Sequence, residues 1–223
     1  MLDSIVLSFF HCFSFTSNLV PMAPTIRIAE PADAAALLAI YAPYCESSPI
    51  SFEVVAPSVE QMAQRIADIA ADYPWLVCEI DGVIAGYVYA SRHRERAAYR
   101  WIVEVTVYIS ERYRRLGVGR ALYTSLFEIL AEQKYVKAFA GVTLPNPQSV
   151  GLHESLGFTL IGVYPGVGYK LGRWLDVGWW QLQLRSEAIP PPEPVPFAAL
   201  RSTAVVVNAL SAGERLLTHV AGA

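Results

Sequence analysis

The chain has 223 residues, of which 54% are hydrophobic and 17% are charged, and its formal net charge is −3. This length suits one globular domain with tails, which would bury roughly 70% of its unfolded surface. This small negative net charge gives no general reason to expect nucleic acid or an anionic membrane as a partner. The cysteines Cys12, Cys45 and Cys78 show no metal-site or disulfide spacing, which favours a reducing, cytoplasmic compartment and no bound metal.

The first 22 residues are apolar, but they are too short and broken to span a bilayer as a helix. They also lack the basic segment of a secretory signal and the arginines of a transit peptide. We therefore interpret residues 1–22 as an extension outside the fold, and we expect the natural start of the protein at Met22. An atypical targeting segment is the alternative.

Hydrophobic periodicity and turn residues predict a strand, two helices, three strands, a helix, a strand, a short helix and two final strands. The predicted strands are Thr25–Ala29, Trp75–Ile80, Val83–Ser91, Arg100–Ser110, Lys137–Val142, and two near Thr159–Tyr164 and Trp179–Leu184. The predicted helices are Pro31–Pro43, Pro57–Ile69, Gly117–Glu132 and Asn146–Leu156. Asp81-Gly82 is a signal for a two-residue hairpin turn. This order predicts an α/β (α+β) fold with a mixed sheet.

The sequence IPPPEPVP at Ile189–Pro196 is stiff and rich in proline, so we expect the globular unit to end near Ser186. The chain then divides into the extension at 1–22, a domain at 23–186, and a linker and tail at 187–223. The tail is expected either to form a short helix or to stay loose, and we assign it no function.

Positive charge is concentrated in one part of this acidic chain. Eight of the 17 Lys and Arg residues are Arg92, Arg94, Arg96, Arg100, Arg112, Arg114, Arg115 and Arg120. Within this segment, RRLGVGR at Arg114–Arg120 follows a strand and opens an amphipathic helix. Gly117 and Gly119 allow the backbone to turn with its N–H groups converging at the helix N-terminus, as in a pyrophosphate cradle. The alternatives are a solvated basic loop and tight packing of strand on helix.

The R-x-x-G-x-G pattern after a Val-Tyr-Ile strand resembles the GNAT superfamily of acyl-CoA-dependent N-acyltransferases. Over about Thr25–Leu184 the closer resemblance is to the branch of phosphinothricin, methionine sulfone and methionine sulfoximine acetyltransferases. Its supporting segments include Ser51-Phe52, Ala98–Arg100, Val103-Glu104, LHESLGF at Leu152–Phe158 and GRWLDVG at Gly172–Gly178. The resemblance implies a GNAT fold with a mostly antiparallel sheet, acetyl-CoA as co-substrate, a small-molecule amine as acceptor, and a homodimer.

The resemblance also implies that acetyl-CoA contacts the end of one strand, the arginine–glycine loop and an amide on the short helix. The implied contacts are Val107, Tyr108, Ile109, Arg114, Arg115, Leu116, Gly117, Val118, Gly119, Arg120 and Asn146. From the residues alone, Asn146 is nearly as well explained as an N-cap or turn residue before Pro147.

Two titratable residues are candidates for catalysis. Strand parity places Glu104 on one face with Ile102, Thr106 and Tyr108, which by itself predicts a solvent-facing residue. The resemblance instead places Glu104 at the general-base position of the family. It also places His153 where many GNAT enzymes carry a tyrosine, so His153 is proposed to protonate the departing thiolate. A lone histidine on a helix surface is the simpler alternative.

The expected substrate is small and anionic on one side, because guanidinium groups at the loop-to-strand entrance suit carboxylate, phosphinate or sulfone oxygens. The predicted substrate contacts are Phe52, Arg96, Tyr99, Arg100, Glu104 and Thr106. His93 stands where several relatives have a tryptophan, which leaves the exact substrate open.

We therefore expect an acetyl-CoA-dependent N-acetyltransferase that acts on the α-amino group of a small amino-acid analogue. The alternatives are a GNAT enzyme for another amine, such as a peptide N-terminus or polyamine, and a non-catalytic acyl-CoA-binding module. A nucleic-acid binder is disfavoured because the chain is acidic and carries no recognisable module.

Overall fold

The structure is a computed structural model, and it describes residues 23–217. Its strands are β1 (Thr25–Ile28), β2 (Trp75–Ile80), β3 (Val83–Arg92), β4 (Ile102–Ile109), β5 (Lys137–Leu144), β6 (Thr159–Lys170) and β7 (Arg173–Gln183). Its helices are α1 (Ala34–Glu46), α2 (Val59–Ile69), α3 (Val118–Glu132), α4 (Pro147–Ser155), α5 (Phe197–Leu200) and α6 (Ala204–Glu214). The predicted α/β class is confirmed.

The strands form one sheet in the order β1-β2-β3-β4-β5-β7-β6, and every neighbouring pair is antiparallel except β4 and β5. The parallel pair is short, since Ile102–Glu104 of β4 lies beside Lys137–Phe139 of β5 and the ladder ends there. Beyond Glu104 the two strands separate. The second half of β4 therefore has one edge that β5 does not cover.

Helices cover both faces of the sheet. Val103 and Val105 point to the face on which α3 and α6 build the larger buried cluster. The opposite face packs against α1 and α2 through residues such as Leu37 and Ile66. Glu104 alternates with the two valines along the strand, so its side chain lies on the α1–α2 face.

The two hairpins show how local sequence sets strand length. Asp81 and Gly82 both have positive φ, 51° and 75°, as the predicted two-residue turn requires. The β6–β7 hairpin is longer than the predicted strands near Thr159–Tyr164 and Trp179–Leu184, because β6 continues to Lys170 and β7 begins at Arg173. The ladder between them is irregular between Tyr164 and Gly168.

The chain beyond Ser186 packs onto the domain rather than leaving it. Phe197 and Leu217 are fully buried in the larger cluster, and Glu214 Oε1 accepts a 2.9 Å hydrogen bond from the backbone N–H of Ile26 in β1. A Cβ added at Gly213 would lie 2.3 Å from Ser125 Oγ, so α6 lies directly against α3. The packed unit thus extends beyond the boundary expected near Ser186, because the apolar residues of the tail bury against α3 and β1.

Residues 1–22, including Cys12, lie outside the described part of the chain. Cys45 and Cys78 are buried free thiols. Between residues 23 and 217, no helix has both the length and the apolar character that crossing a membrane requires. The same residues contain no cluster of three or more His, Cys, Asp or Glu side chains arranged to hold a metal ion.

Candidate active site

A cavity of about 560 Å³ opens where β4 separates from β5. Its walls are the end of β4, the loop before α3, and the first turns of α3 and α4. All of the predicted acetyl-CoA contacts line this cavity except Leu116, which packs against the hydrophobic core. The structure therefore brings together residues from three separate segments at one site.

The backbone of the arginine–glycine loop turns sharply at two positions. Arg115 has φ 65°, and Gly117, the N-cap of α3, has φ 83°. The left-handed region favours glycine, and here it directs the first N–H groups of α3 toward the cavity. A Cβ added at Gly119 would lie 3.0 Å from Leu152 Cδ2, so α3 and α4 approach closely at this edge. Free N–H groups at the N-terminus of a 15-residue helix form an anion-binding site.

A tyrosine that the sequence did not indicate connects the end of β4 to the arginine–glycine loop. The Tyr44 hydroxyl donates to the Ile109 carbonyl at 2.8 Å and accepts from Arg114 Nη2 at 3.1 Å. Arg120 is held from the other side, because its Nη2 donates to Ser155 Oγ at 2.9 Å. Hence two of the arginines are already oriented by neighbouring side chains.

The polar residues of α4 have structural partners. Asn146 is the N-cap of the helix, and its Oδ1 accepts from the Ser149 N–H at 3.1 Å while the residue lines the cavity. His153 is only 3% exposed, so it is not a surface histidine. Its Nδ1 lies 2.8 Å from the Ser149 carbonyl and its Nε2 lies 2.9 Å from the Tyr123 hydroxyl. A carbonyl only accepts, so Nδ1 donates, and in the neutral imidazole Nε2 then accepts from the Tyr123 hydroxyl, so both ring nitrogens are engaged.

Burial lowers the pKa of His153, although its hydrogen bond to the Ser149 carbonyl acts in the opposite direction. The imidazole is thus held neutral between Tyr123 and Phe158, whose rings contact it edge to face. In this arrangement His153 is not on the cavity wall, and its N–H is occupied by a backbone carbonyl.

Glu104 lies three residues before the cavity on β4, and its side chain is 30% exposed. Its Oε1 is 2.8 Å from Nδ1 of His93, which follows the end of β3. At about 3.3 Å of rise per residue, Glu104 is about 10 Å from Val107, the first residue of the strand to line the cavity. The strand β4 thus carries both the Glu104 carboxylate and the residues that line the cavity.

Two of the predicted substrate contacts are linked to this carboxylate: Tyr99 contacts the His93 ring, and Thr106 follows Glu104 by two residues on β4. Phe52 and Tyr99 are 40% and 41% exposed, and Thr106 lies beside Tyr89 in the β3–β4 ladder. Arg96 is exposed. Arg100 points to the tail, where its Nη1 donates to Glu193 at 3.0 Å.

A buried lysine holds the loop between α1 and α2 (residues 47–58, the α1–α2 loop) that carries Phe52. Lys170, at the end of β6, is 5% exposed and donates to the carbonyls of Ser51 at 2.6 Å, Glu53 at 2.8 Å and Tyr44 at 3.2 Å. The sequence gives no signal for this role, because a lysine at a hairpin turn is normally solvated.

Known proteins are similar to this chain in sequence and in fold. The chain matches the model of the acetyltransferase (GNAT) domain over residues 26–179. It is 42% identical over 170 residues to phosphinothricin N-acetyltransferase of Streptomyces viridochromogenes, covering 76% of this chain and 92% of that enzyme. It is 35% identical over 167 residues to L-methionine sulfoximine/L-methionine sulfone acetyltransferase of Salmonella typhimurium, covering 74% and 98% respectively.

A solved structure gives the same result. The GNAT superfamily phosphinothricin acetyltransferase from Sinorhizobium meliloti, in complex with acetyl-CoA, superposes with a TM-score of 0.72 at 33% identity. The superposition covers 81% of this chain and 98% of that one. These findings confirm the predicted family and enzyme class. The chain belongs to the GNAT superfamily of acetyltransferases, in the branch of the phosphinothricin and methionine sulfoximine/sulfone acetyltransferases.

Proposed function

We propose that the protein transfers an acetyl group from acetyl-CoA to the α-amino group of a small amino-acid analogue of the phosphinothricin or methionine sulfoximine/sulfone type. One observation carries the proposal: β4 bears a carboxylate at Glu104 and, beyond it, forms the wall of a cavity that ends in an anion-binding helix N-terminus. The named activities of the relatives support this substrate class.

The cavity suits acetyl-CoA in shape and charge. The edge of β4 that β5 leaves uncovered offers backbone groups to an extended amide chain, and Val107–Ile109 line it. The N-terminus of α3, with Arg115 and the oriented Arg114 and Arg120, would hold the pyrophosphate. Acetyl-CoA supplies an activated thioester carbonyl. The chain's contribution is to hold that thioester near Glu104.

Glu104 is proposed to act as the general base, by direct transfer to the amine without an acetyl-enzyme stage. An α-amino group has a pKa of about 8 and is mostly protonated at neutral pH, so it must lose a proton before it attacks a carbonyl carbon. A carboxylate that is partly shielded and within reach of the amine, directly or through one water, is suited to accept it. Such proton transfer contributes about 10²–10⁴-fold to the rate.

Anion recognition is proposed for the arginines of the entrance, Arg96 and Arg100, with Tyr99 and Thr106 near the carboxylate and Phe52 as a wall. The ion pair of Arg100 with Glu193 leaves their side chains 49% and 66% exposed. Exposed pairs of this kind contribute only about 0–1 kcal/mol, so an anionic substrate would compete successfully for the guanidinium group.

The departing thiolate also needs a proton, and His153 stays the proposed donor or hydrogen-bond partner. Because both of its ring nitrogens have partners in the core, this role requires the imidazole to exchange one of them. The pH–rate profile of His153→Asn tests the role: a donor predicts a displaced profile, and an unchanged profile leaves His153 as a packing group.

A homodimer is part of the proposal, with the β6–β7 hairpin as the contact. β6 is the edge of the sheet, and its hairpin exposes large apolar side chains such as Tyr169, 61% exposed, and Trp174, 69% exposed. Contiguous apolar surface of this kind marks an interaction site. Light scattering on the purified chain measures the stoichiometry. A cytoplasmic location stays a prediction.

The experiment that tests the function is acetyl-CoA turnover on a panel of amines. The panel contains phosphinothricin, methionine sulfoximine, methionine sulfone, a polyamine and short peptides. We expect the three analogues to give the highest kcat/KM. A preference for peptides or polyamines would replace the proposed substrate class, and acetyl-CoA binding without turnover on any amine would favour the binding-module alternative.

A further inference from the structure

Glu104, the proposed general base, has a hydrogen-bond partner that lies outside the predicted site. β3 and β4 pair with Ser91 opposite Glu104, and His93 follows two residues later on the same side of the chain. His93 thereby returns over the sheet face that carries Glu104. Its Nδ1 lies 2.8 Å from Glu104 Oε1, which is a hydrogen bond of good length.

The imidazole of His93 is enclosed by aromatic rings from three other segments. It stacks on Phe139 at 4.8 Å with an interplanar angle of 19°, and Phe139 is the residue that pairs with Glu104 across the β4–β5 ladder. Trp179 and Tyr99 each contact the ring edge to face at 6.0 Å. The side chain of His93 is only 11% exposed. The ring is therefore fixed before any substrate binds.

The proposed role of Glu104 decides which atom donates in this hydrogen bond. A general base must be an ionised carboxylate, which can only accept, so the role requires Nδ1 of His93 to carry the hydrogen that joins it to Oε1. Within residues 23–217 the second carboxylate oxygen of Glu104, Oε2, makes no hydrogen bond. One oxygen is thus held by the protein, and the other is left to receive a proton.

We propose that His93 is a positioning residue for Glu104: it fixes Oε1 and so holds Oε2 in the orientation that accepts the proton of the substrate amine. The inference rests on the proposed function of Glu104. A glutamate side chain loses rotamer entropy when it is ordered, and the enclosed imidazole supplies that order in advance. In the reaction the ammonium gives one proton to Oε2, while the N–H of His93 stays on Nδ1.

Two substitutions separate this role from simple packing. His93→Phe keeps a ring that stacks on Phe139 but removes the donor. His93→Asn removes the ring but places an amide N–H close to the position of Nδ1. A packing role predicts that the Phe variant is the more active of the two, and a positioning role predicts the reverse.

We expect His93→Phe to lower kcat about 10- to 100-fold, the range set by a misplacement of about 1 Å, with an unchanged KM for acetyl-CoA. His93→Asn is expected to stay within about fivefold of the unsubstituted protein, because one neutral donor replaces another. Near-normal kcat in His93→Phe would overturn the proposal. So would an Asn variant as slow as the Phe variant.

A measurement that needs no activity tests the same contact. In ¹⁵N NMR at about pH 8, above the ordinary imidazole pKa, His93 should be the Nδ1–H tautomer, and Glu104→Leu should convert it to the Nε2–H form. An Nε2–H tautomer in the unsubstituted protein would overturn the proposal even if the variants fold poorly. If the unsubstituted protein acetylates none of the panel amines, the proposed function fails, while this tautomer result still decides the contact.

Discussion

Replacing Lys170 by methionine tests how the α1–α2 loop is held over the proposed substrate pocket. The ammonium group donates to three backbone carbonyls, and the two shortest bonds, to Ser51 and Glu53, flank Phe52. Phe52 packs against Gly168 of β6, where an added Cβ would lie 2.1 Å from the ring. Lys170 and Gly168 together therefore fix the position of this aromatic side chain.

The expected cost follows from these bonds. A hydrogen bond that involves a charged group contributes about 1.5–3 kcal/mol, and a buried carbonyl left without a donor costs about 1–3 kcal/mol. Because the loop can relax and admit water, we expect Lys170→Met to lower the free energy of unfolding by about 2–4 kcal/mol rather than by the full sum. The KM for the amine should rise, because Phe52 loses its support.

The matched control is Lys137→Met, another strand lysine. Its ion pair with Glu187 is 2.7 Å long, but the two side chains are 29% and 64% exposed, so its loss should cost no more than about 1 kcal/mol. Urea unfolding of both variants gives the stability difference, and steady-state kinetics gives the KM. If Lys170→Met were as stable as Lys137→Met, the reasoning about the buried ammonium would be refuted.

Two further predictions concern stability. Gly213→Val should destabilise the protein by about 1–3 kcal/mol in urea unfolding, because its Cβ would lie 2.4 Å from the Ala121 carbonyl. The control Gly151→Ala has open space around its Cβ and should stabilise the protein by about 0.5–1 kcal/mol. Equal effects of the two substitutions would contradict the packing of α6 on α3. His153 has a lowered pKa in the fold, so the unfolded chain binds more protons in acid and the unfolding free energy should fall as the pH drops below about 6.5. That part of the slope should disappear in His153→Asn, and an identical slope in both proteins would contradict the buried neutral imidazole.

Much of the fold could be predicted, because several of its elements are specified by short stretches of sequence. The Asp81-Gly82 turn and the amphipathic pattern of α3 depend on residues close together in the chain. The arginine–glycine loop is equally local, since Gly117 takes the left-handed conformation at the start of the helix that follows it. These features needed no knowledge of the sheet order.

The contacts that the sequence did not predict depend on strand register and tertiary packing. His93 meets Glu104 because β3 pairs with β4, and the pairing of β4 with β5 places Phe139 beside Glu104. Lys170 is buried because the hairpin returns beneath the α1–α2 loop. The tail packs on the domain because a glycine, Gly213, allows close contact with α3, and a proline-rich segment gives no sign of this.

The central claim is that Glu104 accepts the amine proton while a separate part of β4 binds acetyl-CoA. The direct test is Glu104→Gln, measured by turnover on the best amine of the panel and by calorimetric binding of acetyl-CoA. Glu95→Gln, in an exposed ion pair with Arg92, is the matched control. We predict a loss of turnover of about 10²–10⁴-fold with unchanged acetyl-CoA affinity and a normal control. Near-normal turnover in Glu104→Gln would contradict the account.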